Sequence, residues 1–261
     1  MLKRIAFGVL VLCLTSSFRP GATTGAFSDV VLAASKAAPS SAAPATATTG
    51  KALNSVQADT VGSAINSEKA VAAGVSNDEL ALALKATACA ASSGAIGAAP
   101  PTLTLIDYSL PSTEPRLWVF DMATGDLLFK ELVAHGRNTG ENFATRFSNE
   151  MDSRQTSLGF FVTDEPYTGS NGYSLRLDGL DVGFNDRARD RAIVMHGAPY
   201  VDPQLAATQG RIGRSWGCPA LRTAIASKVI DRIRGGSVVF SYYPDQEWLQ
   251  HSRFLNCGAA S

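Results

Sequence analysis

From Thr102 onward, short apolar runs recur between polar or glycine-bearing breaks. "TLTLIDYSL" opens the series. "RLWVFDM" and "LLFKELVAH" flank Ala123-Thr124-Gly125-Asp126, a hairpin-turn pattern. "LGFFVTD", "YSLRLDGL", "RAIVMH" and "SVVFSYY" follow. Runs this short, rich in β-branched and aromatic residues, predict strands. Two stretches carry helical spacing instead. Ser76-Asn77-Asp78-Glu79 has capping-box spacing and predicts a short helix to about Cys89. Between Pro219 and Arg234, Leu221, Ile225, Val229 and Ile233 recur every fourth residue, and Gly235-Gly236 ends the pattern. The expected fold is mainly β (α+β) over 76–257, with a helix after Cys218 and a short N-terminal helical extension.

The stretch before this domain reads differently. Residues 33 to about 66 are rich in Ala, Ser, Thr and Pro, a composition that predicts a flexible tether over 27–75. Residues 1–26 begin with Lys3-Arg4, continue with an apolar run from Ile5 to Leu14, and reach small residues at Thr24-Gly25-Ala26. That pattern predicts a secretory signal peptide, and hence an exported, periplasmic or cell-envelope protein. The apolar run is shorter than the roughly 20 residues that span a bilayer.

Composition narrows the function. Lys+Arg and Asp+Glu both number 23, so the formal net charge is zero and no global basic field points to nucleic acid. Of four cysteines, Cys13 lies inside the signal, which leaves Cys89, Cys218 and Cys257. An odd count in an exported chain suggests one bridge and one free thiol. Cys218 sits in a distinctive motif, so a Cys89–Cys257 disulfide is the pairing to test. Three scattered histidines form no spaced ligand set, so neither metal nor cofactor is expected.

The chemistry concentrates in "IVMHGAPY" and "GRIGRSWGCPALR". His196 ends an apolar strand before Gly197, and Cys218 follows Ser215-Trp216-Gly217. Pro219 at a first helical position would make Cys218 the N-cap, where the helix dipole favours a thiolate. His196 would then serve as base. Backbone N–H groups of Gly217 and Cys218 could face a developing oxyanion. Trp216 reads equally as a cleft wall or as core packing. His135 in "AHGRN" reads as cleft-lining or structural. Arg176 and Asp178 share a strand face, either as a surface ion pair or as substrate contacts. The Gly-, Asp- and Asn-rich residues 164–190 could form a lid.

His-Gly, a gap, and Ser-x-Gly-Cys resemble the active-site motif of the YkuD-type L,D-transpeptidases. "LIDYSLPSTEPRLWVFD", "HGRNTG", "YSLRLDGL" and "GRSWGCPAL" resemble a divergent branch, the murein L,D-transpeptidase catalytic domain, over about 103–250. The resemblance implies that Cys218 attacks a peptidoglycan tetrapeptide stem and forms a thioester. His196 would be general base and acid, the Gly197 carbonyl would orient it, and Ser215 would support the loop. Transfer to an amine would give a 3–3 cross-link, and transfer to water an L,D-carboxypeptidase or other muropeptide-trimming activity. Peptidoglycan stem peptides and carbapenem-type inhibitors are the implied partners. The family usually has Arg two residues after the cysteine, where this chain has Ala220. Arg222, Arg214 or Arg211 are the substitutes to test, which leaves carboxylate binding open.

Overall fold

The computed structural model describes residues 64–258. The signal peptide expected at 1–26 and the tether as far as residue 63 lie outside them. Two helices come first, α1 (Ser67–Ala72) and α2 (Asn77–Ser92). Strands follow as β1 (Thr102–Asp107), β2 (Leu117–Asp121), β3 (Leu127–Glu131), β4 (Val133–Ala134), β5 (Gly159–Gly169), β6 (Gly172–Gly179) and β7 (Val194–Ala198). The chain closes with α3 (Pro203–Gln209), β8 (Ala220–Arg222), α4 (Thr223–Ile233), β9 (Val238–Tyr242) and α5 (Gln246–His251). The fold is therefore mainly β with a helix after Cys218, as expected.

The nine strands form one sheet in the order β3-β2-β1-β9-β5-β6-β7-β8-β4. β1–β9 and β7–β8 pair in parallel, and the other neighbours are antiparallel. β3 ends at Glu131 and β4 begins at Val133, yet the two strands sit at opposite ends of the order. One intervening residue can join them only if the sheet curls round toward closure.

Strand alternation sorts side chains onto two faces. Leu103, Leu105, Trp118, Phe120, Phe160 and Phe240 pack with Leu80, Ala83 and Ala86 of α2 and Trp248 of α5. Ile106, Leu117, Val119, Phe161 and Val239 pack with Val229, Ile230 and Ile233 of α4. Burying each such large side chain contributes roughly 1.5–3 kcal/mol. Cys89 of α2 is bonded to Cys257 beyond α5, with Cα atoms 6.0 Å apart, and this staples the chain's end to the N-terminal helix pair.

Three expectations are corrected. Residues 64–75 belong to the folded body, not the tether. Asn66 caps α1 through Oδ1 to the Lys69 N–H, and Ile65, Ala70 and Val75 are buried in the core. Composition alone missed these few apolar anchors among small residues. Second, Ser76 is the N-cap of α2 but makes no side-chain capping bond, and Glu79 is buried rather than reaching back to it. Third, the helix after Cys218 starts at Thr223, not Pro219. Residues 220–222 are drawn instead into pairing with β7 and β4, and this tertiary pairing outweighs proline's preference for a helix start.

Candidate active site

The parallel register of β7 on β8 builds the site. His196 pairs with Ala220, so Cys218 lies two residues before the partner of the histidine. Both side chains open into one cleft of about 400 Å³. Tyr200, Arg191, Arg214 and Trp216 also line it. The β5–β6 hairpin overhangs the cleft, because Ser170 and Asn171 at its tip are lining residues. Gly169 pairs with Gly172 across Ser170-Asn171, and Gly172 follows them at φ 74°, a region that suits glycine. Pro166 has no N–H to give, and the ladder slips between Thr163 and Pro166.

The histidine's tautomer follows from one contact. Nδ1 of His196 lies 3.0 Å from the Gly197 carbonyl oxygen. A carbonyl only accepts, so Nδ1 carries the proton and Nε2 presents a bare lone pair. Burial pushes the imidazole pKa down, and the Gly197 bond partly opposes this.

The thiol of Cys218 is 9% exposed. It donates to the Ala192 carbonyl (3.7 Å) and receives the Val194 N–H (3.5 Å). Ala192 is in the left-handed region at φ 52°, a costly conformation for a residue with a Cβ, and it presents this carbonyl to the sulfur. Burial pushes the thiol pKa up, while the Val194 N–H, the Arg191 charge and the Cys218 N–H oppose it. Cys218 does not cap α4, so the helix-dipole activation expected from Pro219 does not operate. Both shifts favour a neutral thiol beside a neutral imidazole.

Hydroxyls shape the loop that carries Cys218. Ser215 Oγ donates to the Cys218 carbonyl (2.7 Å) and accepts from the Gly217 N–H (3.1 Å). That second bond occupies an amide expected to serve an oxyanion and leaves the Cys218 N–H as the donor at the sulfur. Thr156 Oγ1 donates to the Gly217 carbonyl (3.3 Å).

Other expected residues sit elsewhere. His135 is fully buried, away from the cleft. Its Nδ1 accepts from Arg116 Nη2 (2.8 Å), and its pKa is held down to about 3 by burial and then by the Arg116 charge. Its carbonyl accepts the Ser215 N–H (3.0 Å), so it braces the loop from behind. Arg222 is locked in a two-pronged pair with Glu131 (2.8 and 2.6 Å). Arg176 stacks on Tyr167, its guanidinium 4.1 Å from the ring centre, and Asp178 pairs with Arg189 instead. Trp216 is 68% exposed with Arg154 over its ring, which excludes core packing. Arg191 and Tyr200 were not anticipated. Burial and the nearby Cys218 push the Tyr200 hydroxyl up to about 12. Among the described residues, no group of three His, Cys, Asp or Glu side chains is placed to hold a metal, and no helix is long and apolar enough to cross a membrane.

A family model described as the L,D-transpeptidase catalytic domain matches residues 71–242. Among solved structures, an L,D-transpeptidase from Mycobacterium smegmatis is similar at 15% identity and a TM-score of 0.34, over 56% of this chain and 60% of that one. LdtMt1, an LD transpeptidase in complex with imipenem, is similar at 16% and 0.34, over 54% and 59%. The helical cell shape determining protein Pgp2 from Campylobacter jejuni is similar at 15% and 0.35, over 56% and 48%. The chain thus spans about half to three-fifths of these solved relatives. No curated protein matches.

Proposed function

Because the chain belongs to the L,D-transpeptidase catalytic domain family, we propose that it is a cysteine acyltransferase acting on peptidoglycan stem peptides. The single observation that carries this reading is the shared cleft of Cys218 and His196, with the Gly197 carbonyl fixing the histidine as a base at Nε2.

In the proposed reaction the thiol turns from Ala192 toward Nε2. His196 takes its proton as the sulfur attacks the carbonyl carbon between the L-centre and D-Ala. The tetrahedral oxyanion is met by the Cys218 N–H. His196 returns the proton to the departing D-Ala nitrogen, the C–N bond breaks, and a thioester remains. An amine then attacks the thioester carbonyl and gives its proton to His196, the C–S bond breaks, and His196 returns that proton to the departing sulfur. A side-chain amine of a neighbouring stem yields a 3–3 cross-link. Starting from neutral partners suits base-assisted attack, because the proton moves only as the sulfur bonds.

Export is part of the same proposal. The leader pattern supports it, as does the Cys89–Cys257 bridge, since disulfides persist in oxidising compartments.

The test is purified protein with disaccharide-tetrapeptide, followed by mass analysis. The reading requires a Cys218 adduct equal to the stem less D-Ala, and a cross-linked dimer. Trimmed tripeptide without dimer would assign a carboxypeptidase. Folded Cys218→Ala must form neither product. Imipenem should add to Cys218 in the wild type and not in the alanine variant.

A further inference from the structure

The cleft lining holds two arginines and, among the described residues, no carboxylate. Such a surface receives an anion. The arginines differ in which donors remain open. Arg191 gives Nη1 to the Ser148 carbonyl and the Ser157 hydroxyl, and Nη2 to the Ser153 hydroxyl and the Gln155 carbonyl. It braces the 148–157 loop. Arg211, outside the lining, gives Nε to Glu141 (3.0 Å) and Nη1 to the Ile212 carbonyl (3.1 Å).

Arg214 is arranged differently. Its Nη1 donates to the carbonyls of Arg137 (3.2 Å) and Gly140 (2.9 Å) and to Glu141 Oε1 (2.6 Å). All three bonds use that one nitrogen, so Nε and Nη2 have no partner among the described residues. The side chain keeps 19% exposure, so solvent reaches it from the cleft. One corner of the guanidinium is fastened to loop backbone while its other donors stay open. A cation fixed in this way loses little freedom when it binds a carboxylate, and its fork matches one. Glu141, 72% exposed and shared between Arg214 and Arg211, already places a carboxylate on this group. Its negative charge opposes a second carboxylate on Nε and Nη2, and an ion pair that exposed is weak enough for that opposition to be small.

We propose that Arg214 is the specificity-determining residue that binds a carboxylate of the acyl donor through its open Nε and Nη2, with Glu141 held beside it on Nη1. The inference rests on the acyl-transfer reading above. A stem peptide offers a terminal carboxylate on the departing residue and a side-chain carboxylate on the third residue. The shared chemistry is a carboxylate within reach of the reacting carbonyl.

The experiment measures kcat/KM for three disaccharide-tetrapeptides: both carboxylates free, terminal amide, and side-chain amide. Wild type and Arg214→Met are compared. Loss of a charge-assisted hydrogen bond predicts a drop of about 10- to 100-fold on the substrate with free carboxylates. On whichever amide removes the bound group, the drop should be no more than about threefold, and that arm identifies the source. Glu141→Gln should raise kcat/KM for the free carboxylates by up to about fivefold, since an exposed pair is removed. Equal losses on all three substrates would overturn the inference and make Arg214 a structural brace. If Arg214→Met does not fold, Arg214→Lys and Glu141→Gln carry the same comparison. A folded wild type that turns over none of the three would remove the acyl-transfer reading, and this inference with it.

Discussion

Cys218 Sγ donates its hydrogen bond to the Ala192 carbonyl, 3.7 Å away, and not to the His196 imidazole that shares its cleft. The sulfur thus rests as a buried thiol turned from the imidazole. Burial raises its pKa above the ordinary 9.0. Alkylation by a small neutral reagent such as iodoacetamide depends on the thiolate. Labelling of Cys218 should therefore be slower at pH 7 than that of a free cysteine, with a half-point above pH 9.0. A labelling rate already at its plateau by pH 6 would show a resting thiolate–imidazolium pair instead.

The same burial acts oppositely on His196. A buried imidazole resists charging, so its pKa lies below the ordinary 6.5. In the proposed reaction the base is lost only when the imidazole protonates. The acid limb of the kcat–pH profile should therefore fall at a midpoint below 6.5. His196→Ala should lower kcat by about 10²- to 10⁴-fold, as expected for loss of a general base. An acid limb above pH 7 would assign the base to another group.

Strands were legible in the sequence where a short apolar run met a pleat with both faces covered, as in "RLWVFDM" and "SVVFSYY". β8 was not, because Ala220-Leu221-Arg222 has no local strand signal and owes its conformation to β7 and β4. α3 buries none of its residues, so periodicity could not show it. Its ends were nonetheless written in the chain. Asp202 caps the Gln204 N–H, Pro203 opens the helix, and Gly210 closes it at φ 68°. At the site, Cys218 and His196 were visible because each stands beside a glycine-bearing bend. Arg191 and Tyr200 join them only through long-range pairing, which local spacing does not encode. A clue for Tyr200 lies in Gly213, where a Cβ would come within 2.4 Å of the tyrosine's own Cβ.

Gly217 holds the loop that carries Cys218 at φ 128°, a region that suits glycine. A Cβ there would come within 2.7 Å of the Gln155 carbonyl oxygen and 2.9 Å of Ile193 Cδ1. Backbone strain and overpacking act together, so Gly217→Ala should cost roughly 2–4 kcal/mol in stability. It should also displace the Cys218 N–H and depress acylation by imipenem. Thermal unfolding and the rate of adduct formation measure the two effects separately. An unchanged melting point with an unchanged acylation rate would show that the loop does not need this conformation.

Glu79 is a carboxyl group on α2 with 1% exposure and, among the described residues, no hydrogen-bond partner on either oxygen. Burial, and then the charge of Asp107, raise its pKa from 4.5 to about 9. The sign of the linkage follows from which state binds more protons. Below pH 4.5 Glu79 is protonated folded or unfolded, and it costs the fold no charge. Between pH 4.5 and about 9 the unfolded chain has released the proton while the folded chain keeps it, so stability falls as pH rises. Glu79→Gln keeps the shape and removes the ionisation. It should leave the melting temperature near that of the wild type at pH 4. At pH 8 it should be more stable by a few kcal/mol, on the order of 3, which corresponds to roughly 5–10 °C. Melting curves of the two proteins from pH 4 to pH 9 provide the check. Parallel curves across that range would mean that Glu79 finds solvent or a partner on ionising, and that α2 docks without regard to its charge.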